Sequence, residues 1–500
     1  MTSPDDGGGG LKRETNWWGA FVIGLAGTIL VTGIAPIMVT TLGAASIPLV
    51  LVIGFTGYLL CLFLAELSAM MPERTGGAPS YTYPAFKDRW PRAARHLGGL
   101  SAWAYWLGWF PVAPLNMILA SFYLANRFGL DTKSGFTPID TPIAYWTVGI
   151  AVAGIILVSI PAFLGIRFGT VLATVLAFLS IVPLLFVALA WIFRASAADI
   201  DQLLRFRHLD GSGFWSAVNG RHWLTAYTAY AFLLTWNVIA MEAAACYVGE
   251  CKNPDRDAKI ALNLEGGFGL LVHTLVPVAF VVVLGAETLA RPELVDPNAI
   301  FVTFAGRIFP GMGEILNWGV ALMLILALAL SALNAIMGCA RSLHQMSLDG
   351  LFPRFFQHVN RHGVPDRAML FNVACAIVVV FLGGAAQIYT FSNVGYLASF
   401  IPVLIGYFLL RRDQPKARRP VRLPDFMKYV ALGLAGVYGL IWLVGGILYA
   451  RIGHTEIYYF MGWATLLGYL PFYWYRTRME DRPADARSLQ TAPETPHEGS

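Results

Sequence analysis

Runs of about 20 apolar residues recur along this chain, separated by short turns that carry glycine and proline. Each run is long enough to cross ~30 Å of hydrocarbon as a helix. Twelve spans are predicted, at about 17–41, 47–71, 98–126, 142–163, 169–193, 227–249, 259–286, 314–340, 368–386, 388–410, 428–450 and 457–475. The polar stretch 1–16 has no short apolar core with a cleavage site, so it reads as a disordered leader. Residues 476–500, rich in Pro, Glu, Ser and Arg, read as a disordered tail.

Composition agrees with the pattern. The chain is 57% hydrophobic and 13% charged, against about 25% charged for soluble domains. That excludes an ordinary soluble enzyme. The net charge of +5 is not a nucleic-acid signature, because no basic helix with interleaved aromatics is present. Its meaning is topological: 26 of the 35 lysines and arginines fall on segments that lie inside if the N-terminus is cytosolic. Both termini are therefore expected in the cytosol of a multi-pass cell-membrane protein, in contact with lipid. The five cysteines form no CxxC pair, and no carboxylate–histidine cluster exists. Neither a disulfide framework, a metal, a cofactor nor a catalytic triad is indicated, so the chain does not read as an enzyme.

Chemistry concentrates in Tyr227 to Ala261, where an apolar span carries Trp236, Asn237 and Glu242 and then ends in charge and Asn253-Pro254. An intramembrane carboxylate marks a functional site or a satisfied pair. For Glu242 two readings stand: a hydrogen-bonded structural carboxylate, or a proton-titrating switch. Glu66 is expected to orient a helix end, Glu265 to pair with Lys259 or line a vestibule, and His273 to be packed. In span 1, Gly33 and Pro36 free backbone groups in mid-membrane. Such backbone survives only where protein or a cavity satisfies it. Span 6 has Asn237 as its helix-weakening residue. Interruptions in spans 1 and 6 match the broken helices of inverted-repeat transporters.

Four motifs in register now carry a resemblance. Span 1 holds Thr32-Gly33-Ile34. Span 2 runs through Ala65-Glu66-Leu67-Ser68 and Pro72 to Gly76-Gly77, Tyr81 and Tyr83. Glu250-Cys251-Lys252-Asn253-Pro254-Asp255-Arg256 follows span 6. Arg341, Asp349-Gly350-Leu351-Phe352-Pro353 and Gly363-Val364-Pro365 follow span 8. The chain resembles the amino acid–polyamine–organocation (APC) transporters over roughly 17–475. The resemblance implies an all-α membrane fold of inverted five-helix repeats, 17–193 and 227–410, joined by an outer loop at 194–226, with helices 11 and 12 in 411–475. It implies alternating-access transport of an amino acid or related amine, held between spans 1, 3, 6 and 8. A polyamine exchanger, a non-transporting membrane sensor and a channel are the alternatives.

Residue by residue, the resemblance implies a substrate site at Thr28, Thr32, Gly33, Ile34, Ala35, Trp236, Asn237, Ile239 and Ala240. Trp236 and Glu242 are its gating or coupling residues. Tyr105, Trp106 and Trp109 on span 3, and Ser331 and Asn334 on span 8, are candidates to complete the pocket, Asn334 foremost because a mid-span amide needs a partner. The substrate carboxylate would meet span 1 backbone and its ammonium the acceptors freed in span 6. No fixed charge awaits a side chain, which points to a neutral or aromatic amino acid, with a cationic amine over Trp236 as runner-up. Departures are Ala240-Met241 before Glu242, two extra residues between Gly77 and Tyr81, and Ser180 where many proton-coupled relatives have a lysine. Oligomeric state leaves no trace in the sequence.

Overall fold

The structure, a computed structural model, describes residues 10–131, 134–137, 142–204, 206–382 and 384–481. The leader before Gly10 and the tail after Asp481 lie outside the described residues. Each apolar run is helical. Among the described residues nine helices are long and apolar enough to cross a membrane by length and composition. Span 1 is two helices, Trp17–Thr28 and Val31–Leu42. Span 3 is Pro91–Trp109 continued, after a turn, by Val112–Phe128. Span 6 is Trp223–Val238 followed by tight 3-10 turns over Ala240–Cys246 and Val248–Glu250. Span 7 is Pro254–Leu289, span 8 is Gly313–Leu348 and span 10 is Ala385–Asp413.

Burial sorts these helices. The most apolar window of the span 6 stretch Trp223–Glu250 is wholly buried, whereas that of Ile166–Phe193 is less than half buried. On the latter helix Phe168, Val171, Val175, Phe178 and Val182 are exposed at three- and four-residue intervals. That is one face turned outward in a chain whose solvent there is hydrocarbon. Span 6 is thus the axis, packed on every side by protein.

Among the described residues four glutamates are buried. Glu66, at the end of span 2, accepts from Tyr407 at 3.0 Å, Arg411 at 2.5 Å and the Leu423 N–H at 3.0 Å, and lies 3.1 Å from Arg419. It fixes a helix end to the loop after span 10, as its position suggested. Glu250 pairs with Arg341, whose second ω-nitrogen donates to it at 2.9 Å and whose first donates to the Met337 carbonyl at 2.9 Å. Arg341 was expected in a loop after span 8. Its charge is neutralised inside the protein, so the helix runs on to Leu348 with the arginine fully buried. A second pair, Arg74–Asp349, ties the loop after span 2 to the end of span 8.

Two segments read as disordered are packed. Leu11 is buried, Thr15 bridges in parallel to Cys251, and Lys12 Nζ donates to the Arg361 carbonyl at 3.1 Å. Residues 10–16 therefore strap across the loops after spans 6 and 8. At the other end, Arg476 is buried and reaches Asp481 at 3.0 Å and the Phe352 carbonyl at 3.3 Å, so order extends through Asp481. Span 3 also begins earlier than predicted, because Pro91 at its first turn nucleates the helix before the apolar run starts.

Removing one partner of a buried ion pair strands the other charge. Arg341→Met is expected to lower stability by about 3–5 kcal/mol. The double variant with Glu250→Gln should recover part of that loss. Thermal unfolding in detergent measures both.

Candidate functional site

Helical bonding changes in two places that touch. In span 1 the Leu30 N–H donates to Gly27, Thr32 to Ile29 and Gly33 to Leu30, at 3.2, 3.0 and 3.1 Å. This run of i→i−3 bonds leaves the Thr28 carbonyl outside the ladder. The break therefore lies at Ile29–Leu30, upstream of the position expected from Gly33. Gly33 and Pro36 lie within the helix Val31–Leu42. In span 6 the α-helix ends at Val238, so Asn237 is its last turn and not its interruption. Seven residues of 3-10 helix follow, an unusually long run of a kind that in mid-helix marks a hinge.

The cause of the span 6 break lies in neighbouring helices. The Ala244 N–H would normally donate to the Ala240 carbonyl. Instead it donates to Glu265 Oε2 on span 7, at 2.9 Å. The Met241 carbonyl accepts from the Cys61 thiol on span 2, at 3.2 Å. Ala240's carbonyl, at the start of the 3-10 run and no longer taken by the Ala244 N–H, abuts Gly27: a Cβ on Gly27 would lie 1.8 Å from that oxygen. Only glycine permits this approach, and it joins the two interruptions backbone to backbone. Ile239 meets Gly57 of span 2 in the same way, its Cα 2.9 Å from where a Cβ would stand.

Aromatic groups flank the break on both sides. On the Trp223 side, Trp236 is buried, its indole N–H donates to the Gly108 carbonyl of span 3 at 2.9 Å, and its ring meets Tyr389 of span 10 edge to face at 4.7 Å. The Tyr389 hydroxyl lies 3.0 Å from where a Gly33 Cβ would be. On the far side Glu242 accepts from Tyr396 at 2.9 Å, from Tyr105 at 3.1 Å and from the Trp109 indole at 3.3 Å. Three donors from two spans satisfy this carboxylate, as the structural reading required. Tyr105 and Trp109 therefore serve Glu242, and Trp106 bonds Asn372 at 3.0 Å on the other face.

The remaining predicted residues divide. Ile34 and Ala35 are buried just past the span 1 break. The Thr32 hydroxyl donates to the Ile29 carbonyl at 2.9 Å. Thr28 Oγ1, Asn237 Oδ1 and Ser331 Oγ are buried without a hydrogen-bond partner. Asn334 accepts from Tyr247 at 2.6 Å, so its partner is a span 6 side chain. Ser180 bonds its own helix at Leu176, 2.7 Å away. Lys259 is exposed while Glu265 is buried, so the suggested pairing between them does not form. His273 is buried, with Nδ1–H donating to the Gly269 carbonyl at 2.9 Å. Sequence reading passed over Gly27, Cys61, Tyr389 and Tyr396. The Gly24/Gly27 pair in span 1 was the one available signal, since small residues mark close helix approach in membranes.

Hollows open at both rims. One of about 500 Å³ lies beside Gly43, Arg207 and His208. Another of about 560 Å³ lies between Arg13, Pro72 and Arg256. Between the rims, the two breaks and their aromatic flanks are closed off from solvent, apart from partial exposure at Gly33.

Comparisons with known proteins identify the family of this chain. A family model described as "Amino acid permease" covers residues 16–470. The branched-chain amino acid permease BcaP of Bacillus subtilis is 25% identical over 489 residues, 93% of each chain. L-asparagine permease 1 of Mycobacterium tuberculosis is 24% identical over 400 residues, 74% of this chain and 73% of that protein. An uncharacterised transporter of Legionella pneumophila is 24% identical over 417 residues, 79% of this chain and 80% of its own. Since the matched region runs from residue 16 to residue 470, nearly the whole of the apolar part, the chain belongs to the amino acid permease family of the APC superfamily.

Proposed function

We propose that this protein is a secondary transporter of amino acids with uncharged side chains, working by alternating access in a twelve-span inverted-repeat bundle. One observation carries the reading: two helices lose their regular bonding where they touch, at Ile29–Leu30 and Ala240–Cys246, with an aromatic layer on each side. A solute held there is reached from one side by moving Trp236 and Tyr389, and from the other by moving Glu242 with Tyr105, Trp109 and Tyr396. Two separate gates around one site are what alternating access requires.

The site's own atoms favour an amino acid. The Thr28 carbonyl outside the ladder, the unpartnered Thr28 and Asn237 oxygens and the Ala240 carbonyl are acceptors suited to an ammonium. The helix Val31–Leu42 begins at the break, and the positive end of its dipole favours a carboxylate there. Gly33 keeps that approach open. Lysine and arginine are absent from spans 1 and 6 at this depth, in keeping with an uncharged side chain. The printed names of two relatives, a branched-chain amino acid permease and an L-asparagine permease, concern such substrates. The Lys and Arg distribution favours a cytosolic position for both termini. In that orientation the strap 10–16 and the pairs Glu250–Arg341 and Arg74–Asp349 close the cytosolic side.

Purified protein in liposomes is expected to show saturable uptake of a neutral amino acid that counter-flow stimulates. Absence of flux for every amino acid and polyamine tested would refute transport, and unsaturable flux would indicate a channel. Trp236→Ala is expected to weaken ligand binding by about 0.5–2 kcal/mol, roughly 2–30-fold. Ligand titrations of the thermal midpoint read this directly, because a ligand binding only the folded state raises its apparent stability.

A further inference from the structure

Three of the four buried glutamates have their charge accounted for. Glu66 has two arginines, Glu250 has one, and Glu242 has three donors. Glu265 is different. It is fully buried on span 7, Oε2 takes the Ala244 N–H, the neighbouring Ala243 N–H also faces the carboxylate, and Oε1 has no hydrogen-bond partner. No cation faces it among the described residues. Oε1 lies against span 1, 2.4 Å from where a Cβ on Gly24 would stand, so the absence of a side chain at Gly24 makes its room. A bare carboxylate oxygen buried this way is costly, and a proton bound at that oxygen removes the cost.

A second observation places this oxygen on a route to the site. Gly24 meets Glu265, and Thr28 Oγ1 meets Gly269, 3.1 Å from where its Cβ would be. Both steps are one helical turn along parallel helices, about 6 Å. Thr28 Oγ1 is itself unpartnered and borders the span 1 break. The seam between spans 1 and 7 therefore carries two unpartnered oxygens in succession, from Glu265 toward the region where the substrate would bind.

We propose that Glu265 is the proton-coupling group of this transporter, binding one proton at Oε1 while Oε2 holds the broken part of span 6. This rests on the transport reading above. Other titratable groups around it are Glu242 and Cys246 on span 6, Cys61 on span 2 and His273 on its own helix. Span 1 has none, and span 5 has only the exposed Arg167. Coupling follows from the cap. When Ala240–Cys246 moves away to open the site, Oε2 loses its donor. A neutral acid tolerates that loss and an ionised one does not. The proton enters as an O–H bond on Oε1 and leaves to water once the seam opens, so its occupancy and the position of span 6 bias each other.

The experiment compares wild type with Glu265→Gln in proteoliposomes. Glutamine keeps an acceptor for Ala244 N–H but cannot take up or release the proton. The amino acid giving the strongest counter-flow in a wild-type screen serves as probe. Wild-type uptake is expected to rise with an inward proton gradient. Glu265→Gln should lose about tenfold or more of that stimulation while counter-flow exchange persists. Infrared difference spectra between acid and alkaline buffer should show a carboxyl band in wild type that the variant lacks. If the variant retains both the stimulation and the band, or if wild type exchanges but answers only to a sodium gradient, the assignment is overturned. A variant that loses exchange but keeps a wild-type thermal midpoint, with the band also unchanged, overturns it too. Wild type without any exchange is a distinct result that removes the transport reading itself.

Discussion

The Ala244 N–H has given up the carbonyl that a regular helix would supply and taken the Glu265 carboxylate instead. Much of the centre of the molecule follows from that exchange. In hydrocarbon no water satisfies a stray peptide group, so a helix stays broken only if side chains replace its lost partners. Glu265 does so for an amide and Cys61 for the Met241 carbonyl. The Ala240 carbonyl, turned from the α-helical into the 3-10 pattern, presses on Gly27, which brings the two interruptions together. Spans 2 and 7 supply the replacements and span 1 supplies the space.

Charge is handled differently at the two ends of span 6. Its far end carries Glu250, locked to Arg341, with the Arg341 guanidinium 5.0 Å over the Tyr247 ring. Tyr247 in turn donates to Asn334. Span 6 is thus bound to span 8 by an ion pair, a cation–π contact and a hydrogen bond within one short stretch. Glu242, nearer the break, is held by phenols and an indole with no cation. Neutral donors bind a carboxylate less tightly than a guanidinium does. A gate that must open repeatedly is better built from such contacts than from a buried ion pair. The geometry therefore separates a lock, at Glu250, from a latch, at Glu242.

How far the chain could be read from its letters varies by element. The apolar runs were legible as helices because transfer into hydrocarbon adds up residue by residue along a run, whereas their limits shifted, span 3 beginning at Pro91 and span 8 running to Leu348. The loop motifs were legible for a different reason: Pro, Gly and paired charges dictate local turns. Glu66 was placed correctly as the residue that orients a helix end. Errors came where a distant partner changes a residue's meaning. Arg341 was assigned to a loop because an unpaired arginine does not belong in a membrane, and Glu250 is 91 residues away. Glu265 was read as pairing with nearby Lys259 or lining a vestibule, while its partner is an amide on another helix.

The positions of the breaks show the same division most clearly. Glycine, proline and asparagine mark where a helix is weak, and they drew attention to Gly33, Pro36 and Asn237. Asn237 lies in the last turn of its helix and Pro36 well inside Val31–Leu42, while Gly33 only donates the last of the i→i−3 bonds of a break centred at Ile29–Leu30. Spacing along one chain states that spans 1 and 6 are interrupted, since intrinsic weakness is local. Which peptide leaves the ladder depends on who stands opposite with a donor or acceptor, or with no side chain at all. Glu265, Cys61 and Gly27 settle that from three other helices, and packing in three dimensions is the first level at which they meet.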